Sequence, residues 1–146
     1  MKKLIILGLV LLMVVSFTAI VLAKADVQKL VPYNYFGDDP AYPDAKGKVI
    51  VNEPKGDVVL QITVSVIGLE PDTEYWVKSC TSLVIEDWTE IGPFTTNSNG
   101  NGHFHINYRE GEQPPPLDII YIWCAIQSGP GGVPGGIALI NEDALP

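Results

Sequence analysis

Val58-Val59-Leu60-Gln61-Ile62-Thr63-Val64-Ser65-Val66 decides the fold class. Val58, Leu60, Ile62, Val64 and Val66 alternate with Val59, Gln61, Thr63 and Ser65, a period of two that puts every second side chain on one face of an extended chain. The stretch is therefore a strand with one buried face. Before it, Lys55-Gly56-Asp57 marks a turn and Lys48 to Val51 a short strand. After it, Leu69-Glu70-Pro71-Asp72-Thr73 turns the chain into a further strand from Glu74 to Ser82.

The same signals continue to the C-terminus. Residues 83–93 form a longer connection containing Trp88 and lead to Phe94-Thr95-Thr96. Asn97 to Gly102 supplies residues tolerant of positive φ, as a hairpin loop requires, and His103 to Tyr108 is the return strand. Glu110 to Pro116 carries three successive prolines and cannot join a central ladder. Ile119 to Ile126 is apolar at both parities, which places it centrally between covered surfaces. Gly129 to Gly136 is a Gly/Pro loop before a last strand, Ile137 to Ile140. About seven strands and no convincing helix give an all-β expectation, a Greek-key, immunoglobulin-like β-sandwich over residues 46–146. Residues 26–45 show neither periodicity and read as an aromatic and acidic spacer (Tyr33, Tyr35, Phe36, Tyr42; Asp38, Asp39, Asp44).

Gly68-Leu69-Glu70-Pro71-Asp72-Thr73-Glu74-Tyr75 resembles the Leu-x-Pro-x-Thr-x-Tyr corner of fibronectin type III domains. That resemblance implies structural roles for Leu69 and Tyr75, the tyrosine hydroxyl tying back to the backbone while both residues pack inward. The longer order, a short strand, an alternating strand ending in Gly68-Leu69, a strand from Tyr75, then Gly92-Pro93-Phe94-Thr95-Thr96 with a Gly-rich loop, resembles the copper/zinc superoxide dismutase and chordin-repeat type of sandwich. In the dismutases a His-x-His pair after the Gly-Leu corner binds copper. The matching positions here are Val77 and Ser79, so the resemblance speaks for topology and against dismutase chemistry.

Lys2-Lys3 followed by the apolar run Leu4 to Ala23, with Ala23-Lys24-Ala25 as a small-x-small site, reads as a secretory signal over residues 1–25. The run of 20 residues is also long enough for an uncleaved membrane anchor through residues 4–23. Both readings place the rest of the chain outside the cytoplasm, secreted or at the cell surface. The chain of 146 residues carries a formal charge of −8; without Lys2, Lys3 and Lys24, six cations face 17 carboxylates, a balance of −11. A nucleic acid is not an expected partner of so acidic a chain.

The chemistry-bearing residues are few. Cys80 and Cys124, 44 positions apart, form a candidate disulfide in an exported domain, worth about 4 kcal/mol by the loop-entropy relation. His103 and His105, the only two histidines, share one face of one strand and could chelate a single copper or zinc ion. Trp76, facing away from Tyr75 beside Lys78, combines with Trp88 into a candidate platform for a sugar ring or another protein's apolar patch. No nucleophile, base or acid pair stands in a catalytic context. The expected function is a non-enzymatic, exported interaction or adhesion module with a protein or glycan partner and no obligatory cofactor; the alternative is a copper- or zinc-binding protein using His103 and His105.

Overall fold

A computed structural model describes residues 25–33, 40, 42–54, 56–82, 88–124 and 137–145. Of the proposed signal or anchor, residues 1–25, all but Ala25 lie outside the described residues, as does the Gly/Pro loop 129–136. Eight antiparallel strands form one sheet: β1 (Ala25–Pro32), β2 (Lys46–Asn52), β3 (Val58–Ile67), β4 (Glu74–Cys80), β5 (Thr89–Thr95), β6 (Gly102–Arg109), β7 (Ile119–Cys124) and β8 (Ile137–Asn141). Their order is β5-β4-β7-β8-β1-β2-β3-β6, and the sheet curls until its edge strands meet. A single 3-10 turn, Glu142–Ala144, follows β8, and no described helix is long and apolar enough to cross a membrane.

The all-β expectation holds; seven strands in a Greek-key sandwich do not. The added strand is β1, drawn from the last residue of the expected signal, Ala25, and the first seven of the expected spacer. It lies between β8 and β2, with Lys29 opposite Lys48 and Val31 opposite Ile140. Its pattern hides the strand because Leu30 is its only fully buried inward residue, whereas Val27 is 60% exposed on the outer face. The remaining spacer aromatics Tyr35 and Phe36 lie outside the described residues.

One continuous sheet replaces two stacked ones because β8 passes directly to β1 through Val31–Ile140 and its neighbours. Closure at the other end uses packing. β5 hydrogen-bonds only to β4 and β6 only to β3, so Asn97 to Gly102 crosses a seam and does not close a hairpin. Thr96 explains the departure: its N–H donates to Thr73 O and its hydroxyl to Glu70 O, tying the end of β5 to the Leu69–Thr73 corner. Asn97 then holds the loop, its side-chain oxygen accepting from the N–H groups of Asn99 and Asn101. Across the seam the rings of Phe94 and Phe104 lie over Gly102 and Gly92, where there is no Cβ to obstruct them.

The barrel interior holds Leu30, Val49, Ile62, Val64, Val66, Tyr75, Val77, Ile120, Ile122 and Leu139, all at most 1% exposed. β7 is covered on both sides, as its sequence implies. Ile120, Ile122 and Cys124 join the interior, while Tyr121 enters a second cluster on the outer face with Cys80 and Ile140. That division corrects the disulfide. Cys124 stands opposite Tyr75 and Cys80 opposite Ile119, five positions further along β7, roughly 16 Å away and on the other face of the sheet. A disulfide needs Cα atoms within about 7 Å. The two cysteines are buried and not joined.

Candidate functional site

The outer face of β4 and β7 gathers all three tryptophans of the chain. Trp76 on β4 is the register partner of Trp123 on β7, and Lys78 that of Tyr121, so period-two alternation presents these four side chains on one face. Trp88, just before β5, packs against Tyr121 and Trp123. Its ring centroid lies 4.9 Å from that of Trp123 at 59° and 5.6 Å from that of Tyr121 at 65°. These are tilted and edge-on arrangements, favoured by the aromatic quadrupole. Trp88 and Trp123 therefore form the walls of a notch and not one flat platform. Trp76 adds a half-buried indole whose Nε1–H donates to Glu74 Oε1 at 3.3 Å.

Lys78 occupies the notch. Its Nζ lies 5.5 Å from the Trp88 ring centroid and 5.2 Å from that of Trp123, within cation–π range of both. Glu90 on β5 closes the third side at 3.1 Å. The lysine side chain is 12% exposed and Glu90 59%, so the two indoles hold the cation more effectively than the solvent-screened carboxylate does. Behind the notch the Tyr121 hydroxyl is buried with no hydrogen-bond partner, and burial pushes its phenol well above the ordinary value.

The structure brings Trp76, Lys78 and Trp88 together, and adds Trp123, Tyr121 and Glu90, which sequence reading does not assign to the site. The missing signal is pairing. Ile119, Tyr121 and Trp123 share a parity, but only the β4–β7 register tells that this parity faces Trp76 and Lys78.

His103 and His105 stand elsewhere, exposed on the outer face of β6. Ser65 Oγ lies 3.4 Å from Nδ1 of His103 and Thr63 Oγ1 2.9 Å from Nδ1 of His105, each across the β3–β6 ladder. Among the described residues no group of three His, Cys, Asp or Glu side chains is placed to hold a metal ion. Val77 and Ser79 are fully buried in the interior. Leu69 and Tyr75 take the expected corner roles: both are buried, and the Tyr75 hydroxyl accepts the Glu70 N–H at 3.1 Å. At one mouth of the barrel Asp26, Gln28, Val51, Glu53, Leu117 and Asp118 line a half-open depression of about 530 Å³.

Comparisons with protein-family models, curated proteins and solved structures find no match.

Proposed function

We propose that the chain is an exported, non-enzymatic recognition module of the cell envelope or exterior, binding a protein or glycan through the tryptophan face of β4 and β7. One observation carries the reading: Trp76, Trp88 and Trp123, the whole tryptophan complement, meet on one outer face and each remains half-buried. A half-buried indole offers a large apolar area with little side-chain entropy left to lose, the property that concentrates binding energy in tryptophan at interfaces. Lys78 and Glu90 supply polar contacts at the centre.

The test is binding of the full chain to isolated cell-wall glycans and fractionated envelope proteins, read as a change in tryptophan emission. Trp76→Ala and Trp88→Ala should each weaken binding roughly tenfold or more, the loss expected of a central aromatic contact. Binding that survives both substitutions, or hydrolytic or redox turnover abolished by one substitution, overturns the reading.

A further inference from the structure

A basic face lies on the opposite side of the barrel from the tryptophans. The outward positions of β1, β2, β3 and β6 follow from alternation and register. Lys29, Lys48, Ser65 and His103 form one cross-strand row, and Val27, Ile50, Thr63 and His105 the next. A third row holds Ala25, Asn52, Gln61 and Asn107; Lys46 and Arg109 stand at the margins. Not one of the 17 carboxylates occupies an outward position on these four strands. Four of the five described Lys and Arg side chains and both histidines do. Among the described residues, an acidic chain thus places most of its positive charge on a single face.

Lys29 directly opposite Lys48 is a like-charge pair that opposes folding. Glu142 relieves one side of it, reaching Lys29 at 3.0 Å, while the Glu112 carboxylate accepts the backbone N–H of Arg109 at the margin. Between the cations the face exposes aliphatic side chains: Val27 is 60%, Ile67 45% and Val59 38% exposed. It carries no tryptophan, tyrosine or phenylalanine on which a sugar ring could stack. Cations mixed with exposed aliphatic groups, with carboxylates reaching in only from the margin and no stacking rings, suit an anionic lipid surface better than a glycan. Carboxylates elsewhere on the described surface are repelled by the same lipids, which favours approach through this face.

We propose that the outer face of β1-β2-β3-β6 docks on anionic lipid headgroups, laying the barrel on the membrane with its tryptophan face turned away. The apolar run Leu4 to Ala23 ends two residues before β1, the strand that borders this face. Docking does not depend on the tryptophan reading.

His103 and His105, the only histidines, are reporters already in place on the face. The full chain is reconstituted in zwitterionic phosphatidylcholine vesicles or in vesicles containing about 30% phosphatidylglycerol. Diethyl pyrocarbonate modification of the two imidazoles is then followed by mass spectrometry. Each basic residue adds roughly fivefold to partitioning onto an anionic surface, so modification should be at least about fivefold slower in the anionic vesicles. Raising the salt to about 0.5 M should remove the protection without any change of sequence. The exposed double substitution Lys46→Glu and Lys48→Glu should also remove it, whereas Trp76→Ala should leave it intact. Equal modification rates in the two vesicle types overturn the proposal. Protection by added dextran sulfate, but not by anionic lipid, overturns it too and assigns the face to a polyanionic glycan.

Discussion

At Tyr75 a phenol performs two tasks. Its ring is fully buried between Tyr42 and Phe94, and its hydroxyl accepts the Glu70 N–H. Tyr75→Phe keeps the ring and removes the acceptor, and should cost about 1 to 2 kcal/mol in urea unfolding. Burial also pushes Tyr75 and Tyr121, and less strongly Tyr42 and Tyr108, above the ordinary phenol value. The stability linked to these groups is complete below about pH 10, the ordinary value, and is lost above it, because the unfolded chain ionises first. Phenolate absorbance should therefore show Tyr75 and Tyr121 titrating only as the chain unfolds in alkali; their titration in the folded protein would contradict the burial. The corner was legible because its partners lie within seven positions, Leu69 to Tyr75. The rest of the Lys78 setting was not, because Glu90 and Trp123 reach it from other strands whose pairing the sequence does not show.

Strands differ in how plainly they announce themselves. β3 alternates throughout because its inner face meets the barrel core and its outer face meets water, and β6 alternates for the same reason. β1 sits equally centrally, but its inward positions near the barrel mouth are Asp26 and Gln28, so no apolar period develops. At the seam, packing decides. A Cβ at Gly92 would come within 2.7 Å of the Phe104 ring, so Gly92→Ala must displace the aromatic that closes the barrel and should cost about 1 to 3 kcal/mol in the same assay. The cysteine pair illustrates the limit of counting. Two thiols in a domain expected to be exported suggested a bridge, yet the strand offset and opposite faces forbid it. Denatured without reductant, the protein should react with two equivalents of a thiol reagent; none would contradict the register of β4 against β7.

Across the whole molecule, strand order separates two outer surfaces. β4 and β7 carry Trp76 and Trp123, against which Trp88 packs, and β1 and β2 carry Lys29, Lys46 and Lys48, with β8 between the two pairs. Composition showed an acidic chain; it could not show that cations and carboxylates segregate, because segregation depends on register between strands distant in sequence. It is β1, paired on both sides, that holds the two surfaces in one sheet. Nuclear Overhauser contacts from β1 test this most directly in the labelled protein. Cross-strand backbone contacts should join Val31 to Ile140 and Lys29 to Lys48. A β1 whose amides exchange freely and contact neither neighbour would contradict the single-sheet architecture and the two faces defined by it.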